Sequence, residues 1–323
     1  MVKQDVEPIT LGVDLGGTKI NVGLIDANGQ PLSVNASKVP ESKDPDMVIE
    51  AISAGAEECL SKSGQKAQAL GIGVAAQVDQ EGVVRTSPNL GWRNVPLKKK
   101  LEQKLGLPVY MTNDVRAATW GEWKYGAGKG INDLVLLFVG TGVGGGVVTG
   151  GKILTGCSNI GGELGHMTIV HNGRKCRCPN KGCLEAYVGG WAIAERVQEA
   201  IQTMSVEGKT ILTLAGSVNY VTSIILNQAY RRGDLLARVL VQETGRYLAT
   251  GIINIVNIFN PCRVILGGGV IEGIPELISI AKDIVSADAL EPAIESLQIV
   301  KSSLGSNAAV IGAATLAQNL LKE

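Results

Sequence analysis

The chain has 323 residues, 45% of them hydrophobic, which is enough for two domains that each bury a core. Because 30 lysines and arginines balance 30 aspartates and glutamates, no broad basic field faces a nucleic-acid backbone, and we expect no nucleic-acid partner. No stretch reaches the roughly 18 apolar residues of a membrane helix and no secretory pattern opens the sequence, so we expect a cytoplasmic protein without a membrane partner.

The first part of the chain predicts a strand meander followed by helices. Apolar runs bounded by turn residues predict strands, and amphipathic runs that begin near proline or asparagine predict helices. The strands are Ile9–Val13, Val22–Ile25, Pro31–Lys38 and Pro108–Met111, and the helices are Pro45–Ser61, Pro96–Leu105 and Asn113–Tyr125. A Gly/Lys-rich stretch follows at Gly126–Gly130, so we predict an N-terminal lobe of residues 1–126.

A second strand meander opens the rest of the chain and suggests an internally duplicated architecture. Its strands are predicted at Leu134–Val139, Gly144–Thr149, Lys152–Thr155 and Arg263–Leu266, and its helices at Cys183–Gln202, Asp234–Phe259 and Asn307–Leu321. We predict a C-terminal lobe of residues 127–306, and a C-terminal helix of about residues 307–323 that packs back on the first lobe.

Three glycine-rich loops each follow a strand-like run. They are Asp14-Leu15-Gly16-Gly17-Thr18-Lys19, Gly140-Thr141-Gly142 and Gly267-Gly268-Gly269. Backbone amides and small hydroxyls in such loops can surround phosphate oxygens, and an acidic residue beside them can orient hydrated magnesium. A tight hairpin would explain any one of these loops, but it is a poor explanation for all three.

Two other nucleotide-binding motifs fail on their context. Gly140–Gly145 matches GxGxxG after a strand, but a hairpin follows where a dinucleotide site needs a helix. Gly146–Lys152 half-matches a P-loop, but Ile153 stands where a Ser or Thr hydroxyl would meet magnesium. Neither motif is therefore assigned.

The three loops, in this order, resemble the phosphate and adenosine loops of the actin–hexokinase–Hsp70 superfold. The resemblance implies an α/β, two-lobed actin-like ATPase (ribonuclease H-like) fold with a ligand cleft between the lobes. It also implies that ATP binds here, with magnesium near Asp14. The residues expected to contact ATP are Gly16, Gly17, Thr18, Lys19, Gly140, Thr141, Gly142, Gly267, Gly268 and Gly269.

Asp114 is the candidate for an acid–base role. It stands at the predicted start of a helix, directly after the strand that ends in Thr112-Asn113. A helix N-terminus stabilises a carboxylate, and phosphoryl transfer to a hydroxyl needs a group that takes the proton. The alternative is that Asp114 only caps the helix.

Other polar residues suit recognition of a polyhydroxylated substrate. Asn89 lies in the turn Ser87–Trp92. It is either an ordinary turn residue or a hydrogen-bond partner for a sugar hydroxyl. Glu163, His166 and Glu185 flank a cysteine cluster, and two carboxylates with an imidazole could hold several neighbouring hydroxyls.

The cysteine cluster predicts a structural zinc site. His166, Cys176, Cys178 and Cys183 offer one nitrogen and three sulfurs, the donor set of a closed tetrahedral site. His171 is a competing nitrogen ligand, and a surface loop with unpaired cysteines is the alternative. Four protein ligands would leave no open position for water, so we predict no catalytic role for the metal.

The combined motifs resemble the ROK (repressor, ORF, kinase) family, and in particular its bacterial glucokinases. They are Asp14–Lys19, Thr112–Asp114, Gly140–Gly146, Gly162–Met167 and Cys176–Glu185, in the family's order over about residues 8–315. The resemblance implies ATP-dependent phosphorylation of a hexose 6-hydroxyl, most simply that of glucose, with Asp114 as general base. It further implies sugar contacts from Asn89, Asn113, Asp114, Glu163, His166 and Glu185, zinc on His166, Cys176, Cys178 and Cys183, and a homodimer or tetramer.

Departures from the family pattern bear on the loop that carries the predicted zinc ligands, residues 166–183 (the metal loop), and on the preferred sugar. Pro179-Asn180 stands where glycine usually follows the Cys-x-Cys pair, and Ala75-Ala76 stands where many relatives carry Pro-Gly near the sugar. A kinase for N-acetylglucosamine, N-acetylmannosamine, mannose or fructose is therefore the alternative, followed by a non-catalytic sugar sensor. The family's repressors carry a helix-turn-helix before the first phosphate loop, and because Asp14 comes so early in this sequence we expect no repressor function.

Overall fold

The fold consists of two compact units, each built on a five-stranded sheet. The structure is a computed structural model that describes residues 8–203 and 208–322; positions 1–7, 204–207 and 323 of the predicted lobes lie outside the described residues. The first unit runs to Gly130 and includes Ile153–Gly162 and the segment from Ser303 onward. The second comprises Ile131–Lys152 and Glu163–Ser302. The segment Ile153–Gly162, predicted within the C-terminal lobe, thus groups with the first unit.

The described residues of the first unit form two sheets and four α-helices. Its elements are β1 (Thr10–Leu15), β2 (Lys19–Ile25), β3 (Pro31–Lys38), α1 (Pro45–Ser63), β4 (Leu70–Val74), β5 (Gln77–Val78), β6 (Val84–Ser87), β7 (Trp92–Val95), α2 (Leu97–Leu105), β8 (Val109–Asn113), α3 (Asp114–Tyr125) and α12 (Ala308–Leu320). The larger sheet has the order β3-β2-β1-β4-β8, and the small three-stranded sheet has the order β5-β6-β7. Strands β1, β4 and β8 are parallel, and β2 and β3 form an antiparallel meander with β1.

The second unit repeats the plan of the five-stranded sheet. Its elements are β9 (Leu134–Val139), β10 (Val143–Thr149), β11 (Lys152–Ile153), α4 (Glu185–Val188), α5 (Gly190–Thr203), α6 (Lys209–Ala215), α7 (Ser223–Arg231), α8 (Leu235–Phe259), β12 (Arg263–Gly267), α9 (Gly269–Gly273), α10 (Glu276–Asp288), α11 (Glu291–Ile294) and β13 (Gln298–Lys301). The strand order is β11-β10-β9-β12-β13. Strands β9, β12 and β13 are parallel, and β10 is antiparallel to β9.

The last helix, α12, completes the core of the first unit. It lies across β1, β4 and α3, and the Thr10 hydroxyl donates to the Ala314 carbonyl at 3.1 Å. A Cβ on Gly12 would lie 2.0 Å from the Val310 carbonyl oxygen, and one on Gly71 would lie 1.7 Å from that of Ala313. Only glycine permits this close approach of helix and sheet backbones.

The single helix predicted for Cys183–Gln202 is wrong, because the structure divides it into α4 and α5. Gly189 is extended (φ −64°, ψ 146°), and the amide of Gly190 donates to the Gly140 carbonyl at 2.8 Å rather than within the helix. Two consecutive glycines form helix poorly, so one tertiary hydrogen bond at this point is enough to interrupt the helix that the flanking residues favour. The break places α5 against the loop that begins at Gly140.

None of the helices in the described part of the chain is both long and apolar enough to cross a membrane.

Candidate functional site

The predicted site residues of the first unit collect at one edge of its sheet. Strands β1, β4 and β8 are parallel, and Leu15 pairs with Val74, which pairs with Asn113. Asp14 and the loop after it therefore leave the sheet at the same edge as Asn113 and Asp114. In parallel α/β sheets this carboxyl edge is where ligands bind.

Asp14 lies partly buried near the carboxyl end of β1, and its Oδ2 accepts a hydrogen bond from the Asn21 amide at 3.1 Å. Burial raises the pKa of the Asp14 carboxyl, and the Asn21 hydrogen bond lowers it by less. A carboxylate held in a partly desolvated position gains more than an exposed one from a nearby cation. The position suits a residue that orients hydrated magnesium.

The first glycine loop and Asn89 are neighbours. The Gly16 amide closes a tight turn by donating to the Lys19 carbonyl at 3.0 Å. A Cβ on Gly17 would lie 2.8 Å from the Asn89 Cβ. Lys43 donates to the Asn89 carbonyl at 2.7 Å, which fixes the backbone of the turn that carries the amide side chain. Gly17, predicted to contact ATP, and Asn89, predicted to contact the sugar, are therefore direct neighbours.

Asn113 and Asp114 have separate roles at the start of α3. Asn113 is the N-cap, and its Oδ1 accepts from the amides of Val115 at 2.9 Å and Arg116 at 3.2 Å. Asp114 is the first helical residue, with its Oδ1 2.9 Å from the Val115 amide. Asn113 therefore supplies the N-cap, and Asp114 shares the Val115 amide with it from the first helical position. The role of Asp114 as general base stays a prediction.

In the second unit, two of the predicted glycine loops lie side by side. Strands β9 and β12 are parallel, with Gly267 opposite Phe138. Gly268 has φ +92°, and a Cβ there would lie 2.5 Å from the Val139 carbonyl oxygen. The loop Gly140–Gly142 begins at the next residue, so both loops present backbone groups at the carboxyl edge of this sheet. Such a surface suits phosphate oxygens.

Glu185 contacts the loop that ends at Gly142. Its Oε2 accepts from the Val143 amide at 2.9 Å, and a Cβ on Gly142 would lie 2.5 Å from the same oxygen. The turn Leu164–His166 also packs on β10, because a Cβ on Gly165 would lie 2.0 Å from the Val143 carbonyl oxygen. Glu185 and the turn that follows Glu163 therefore meet around one residue of β10.

The four predicted zinc ligands form one cluster. The donor atoms of His166, Cys176, Cys178 and Cys183 all lie within 4.8 Å of one another. The sulfurs of Cys178 and Cys183 are 3.7 Å apart, and His166 Nδ1 is 3.7 Å from Cys176 Sγ. Two 2.3 Å zinc–sulfur bonds at a tetrahedral angle would separate the sulfurs by roughly 3.8 Å, so the donors fit a zinc ion.

His171 is outside this cluster. Its Nε2 lies 3.0 Å from the Asn172 side-chain nitrogen, on an exposed turn. The nitrogen ligand offered by the described residues is thus His166, with Nδ1 toward the sulfurs.

The electrostatics of the thiols also suit a cation. Burial raises the pKa of Cys176 to about 12 and that of Cys183 in the same direction, so these thiols resist ionisation in the metal-free protein. Burial opposes ionisation of Cys178 as well, but hydrogen bonds from the Asn180 amide and from the neighbouring thiols outweigh it and lower its pKa. Three adjacent thiolates would need a metal to neutralise their charge.

Two residues that the sequence analysis did not select hold nearby segments in place, one within each unit. Arg116 is buried and donates to the carbonyls of Asn159 and Gly161, at 3.1 and 2.9 Å, which anchors the segment before Glu163 to α3. Trp191 donates its indole N–H to Glu185 at 3.3 Å. Neither belongs to a recognisable motif; the only sequence hint is a bulky aromatic directly after Gly189-Gly190.

The duplicated five-stranded sheets define an α/β protein of the actin-like ATPase class, which confirms the predicted fold class. The chain belongs to the ROK family, whose model matches residues 10–320. The predicted family resemblance is therefore confirmed over nearly the whole chain.

Sugar kinases are among its relatives. The glucokinase of Thermotoga maritima is 37% identical over 310 residues, which cover 95% of this chain and 96% of the relative. An N-acetylmannosamine kinase of Escherichia coli is 34% identical over 313 residues, covering 96% and 98%. A ROK family glucokinase from Streptomyces griseus, solved in complex with glucose and AMPPNP, superposes with a TM-score of 0.84 at 33% identity, covering 96% of this chain and 99% of that one.

Proposed function

We propose that this protein is an ATP-dependent hexose kinase that phosphorylates glucose at its 6-hydroxyl. The observation that carries the proposal is the match to the Streptomyces griseus enzyme with glucose and an ATP analogue bound, at 33% identity over nearly the full length of both chains. The relative from Thermotoga maritima supports the same activity. The glycine loops after β1, β9 and β12 lie at the carboxyl edges of the two sheets, as do Asn113 and Asp114, which supports binding of a phosphate donor and an acceptor there.

In the proposed reaction, Asp114 is the general base. Its carboxylate takes the proton of the sugar 6-hydroxyl as that oxygen attacks the γ-phosphorus of ATP, and the bond from the γ-phosphorus to the β–γ bridging oxygen breaks. ADP leaves with the bonding electron pair, and the proton passes from Asp114 to solvent. Asn113 fixes the start of α3 through its cap, which holds Asp114 in place.

The other predicted residues bind and orient the two substrates. Asn89 and Asn113 of the first unit, and Glu163, His166 and Glu185 of the second, would bind sugar hydroxyls. Gly16, Gly17, Thr18 and Lys19 would contact the phosphates, as would Gly140, Thr141 and Gly142, while Gly267, Gly268 and Gly269 would contact the adenosine. Asp14 would orient hydrated magnesium, which neutralises phosphate charge during transfer.

Zinc would be structural in this scheme. With Nδ1 of His166 facing the sulfurs, Nε2 is left to donate to a sugar hydroxyl. Holding His166 by one nitrogen fixes both its tautomer and the direction of the other nitrogen. The metal loop would in this way contribute to sugar binding without entering the chemistry.

The second candidate is a kinase for N-acetylmannosamine, which the Escherichia coli relative favours. Its identity to this chain, 34%, is close to that of the glucokinase, so overall similarity does not select the sugar. Ala75-Ala76 and the residues around Asn89 would decide between a 2-hydroxyl and the bulkier 2-acetamido group.

The deciding experiment is a coupled ADP-release assay on zinc-replete protein with ATP, magnesium and a sugar panel. The panel contains glucose, mannose, fructose, N-acetylglucosamine and N-acetylmannosamine, with a sugar-free reaction as the control for ATP hydrolysis. We expect the highest kcat/KM on glucose. Highest kcat/KM on N-acetylmannosamine would keep the mechanism and change the substrate, and no turnover on any sugar by folded, metal-loaded protein would refute the kinase and favour a sugar sensor.

We also propose a cytoplasmic homodimer or tetramer that acts without nucleic-acid or membrane partners. The charge balance supports the absence of a nucleic-acid partner, and the ROK resemblance implies the oligomer. Multi-angle light scattering of the purified protein tests the oligomeric state.

A further inference from the structure

Trp191 lies where three regions of the second unit meet. It stands near the start of α5, and its backbone amide donates to the Thr141 carbonyl at 3.2 Å, in the predicted phosphate loop. Its indole N–H donates to Glu185 Oε1 at 3.3 Å. The guanidinium of Arg177 lies 4.5 Å from the centre of its ring. One side chain thus contacts a predicted sugar ligand and a residue of the metal loop.

The indole contact completes the fixation of Glu185. The other carboxylate oxygen, Oε2, already accepts from the Val143 amide at 2.9 Å. The Cys176 sulfur also lies 4.0 Å from Oε1, at the outer limit of a thiol hydrogen bond, so the indole N–H at 3.3 Å is the stronger donor to this oxygen. A donor on each oxygen fixes the plane of the carboxylate, whereas a glutamate with one donor can still rotate about its terminal bond. Glu185 is only partly buried, so packing alone does not impose this orientation. The remaining lone pairs are then presented in a defined direction.

Arg177 connects the indole to the metal loop. It is the single residue between Cys176 and Cys178, both of which belong to the metal cluster. Its side chain is exposed, so the stacked position over Trp191 depends on the backbone on either side being held. A loop ordered at both neighbouring residues would keep the guanidinium over the ring, and the ring in turn keeps its N–H on Glu185.

We propose that Trp191 is a positioning residue for sugar recognition: it orients the Glu185 carboxylate and is itself held in place by Arg177 of the metal loop. The proposal rests on the proposed function, since Glu185 must bind the sugar for its orientation to matter. It predicts that loss of the indole N–H weakens sugar binding selectively, because the backbone contact of Trp191 with the phosphate loop survives substitution.

The test is Trp191→Phe, which keeps an aromatic ring on α5 but removes the N–H donor. We expect KM for glucose to rise about tenfold, the usual worth of a hydrogen bond to a charged group, with kcat and KM for ATP changed less than about twofold. Trp120→Phe on α3 is the matched control for loss of an indole, and its KM for glucose should stay at the wild-type value. Metal content and melting temperature are measured on every variant.

A double-mutant cycle with Glu185→Gln separates positioning from a general structural role. If Trp191 acts through the carboxylate, Trp191→Phe should raise KM for glucose less than about twofold in the Glu185→Gln background. Equal effects in both backgrounds, an unchanged KM in the single variant, or parallel rises in KM for glucose and ATP would each overturn the proposal. If Trp191→Phe fails to fold, Arg177→Met is used, with an expected rise in KM for glucose of about two- to fivefold; no rise overturns the proposal.

Measurements on the wild-type protein distinguish failure of the positioning role from failure of the proposed function. Turnover of glucose by the wild type together with an unchanged Trp191→Phe variant refutes the positioning role alone. A folded wild type that neither turns over nor binds glucose refutes the proposed function, and the positioning role with it.

Discussion

Two adjacent residues at the start of α3 hold the helix N-terminus. Asn113 accepts the amides of Val115 and Arg116, and Asp114 also accepts the Val115 amide, at the carboxyl edge of the sheet where the proposed base would act. The pair follows β8 directly, so neither position depends on a long loop. A base mounted on a strand end and a helix start is held more rigidly than one on a loop.

Asp114→Asn is therefore expected to lower kcat by about 10²- to 10⁴-fold, the usual contribution of a general base, while glucose affinity stays nearly unchanged. The amide keeps the size and can still accept the Val115 hydrogen bond. Steady-state kinetics and a separate glucose titration measure the two effects. Asp46→Asn, at an exposed position of α1, is the control for the same substitution. Wild-type turnover in Asp114→Asn would remove this residue from the base role.

Asp14 shows the cost of keeping a carboxylate partly buried. Burial raises its pKa above the ordinary value of 3.8, so the protonated form is favoured in the folded state. The resulting contribution to stability is present below pH 3.8 and is lost as the pH rises through the folded-state pKa. At neutral pH, without magnesium, the charged form consequently destabilises the fold.

We expect Asp14→Asn to melt at a higher temperature than the wild type at pH 7 in magnesium-free, nucleotide-free buffer, and to lose most kinase activity. Asn21 can still donate to the new amide oxygen, so the hydrogen bond is kept. The gap in melting temperature should narrow as the pH approaches 4, because the wild type then becomes protonated. Thermal melts of both proteins between about pH 4 and pH 7 test this prediction. A variant that melts below the wild type at pH 7 would contradict the destabilising effect of the Asp14 charge.

At the scale of elements, the metal loop, all of whose residues the structure describes, has no regular strand or α-helix. Its parts are joined by two isolated bridges, Thr168 with Cys183 and Lys175 with Lys181, and by separate backbone hydrogen bonds such as that from the Leu184 amide to the Met167 carbonyl at 2.9 Å. Because no sheet ladder or α-helix forms among these described residues, we expect a metal bound to the four donors to supply much of the loop's order. The loop also leads directly into α4, where Glu185 lies.

Cys178→Ser is expected to lose the metal and to destabilise the second unit by about 3 kcal/mol or more. Metal content by mass spectrometry and the free energy of unfolding in urea are the readouts. Cys262→Ser, an exposed cysteine outside the cluster, should keep both at wild-type values. A Cys178→Ser protein that binds a full equivalent of zinc with unchanged stability would refute the site.

For the molecule as a whole, the chain crosses between its two units several times. Within the first unit, Glu122 binds the backbone near two of these crossings. Its side chain is fully buried on α3. It accepts from the Ala127 amide at 2.7 Å, where the chain leaves α3, and from the Leu304 amide at 2.8 Å, where the chain returns. The Ser303 amide and hydroxyl add contacts at 3.3 Å each.

Glu122→Gln is expected to lower the free energy of unfolding by roughly 2–4 kcal/mol, because an amide accepts these donors less well and brings its own N–H groups toward them. Urea unfolding monitored by circular dichroism measures the change. Glu57→Gln, exposed on α1, should shift stability by less than about 0.5 kcal/mol. An equal effect for the two variants would show that the buried carboxylate does not hold the backbone near these crossings.

Many features were available from the sequence, because short-range patterns encode them. Strands Pro31–Lys38 and Leu134–Val139 coincide with the structure, since alternating or continuous apolar runs bounded by turn residues leave little choice of element. The glycine loops and the spacing of the cysteines are likewise local, and together they led to the ROK family that the comparison confirms.

Only the tertiary structure decided the features that depend on distant residues. The predicted helix is interrupted at Gly189-Gly190, because the Gly190 amide donates to the carbonyl of Gly140, about 50 residues earlier in the chain. The nitrogen that lies beside the cysteine sulfurs belongs to His166 and not to His171. The tertiary structure also joined Trp191 to Glu185 and Arg177. Local propensities differ by about 1 kcal/mol or less, so a single well-placed long-range contact can override them, and such contacts leave no periodic trace in the sequence.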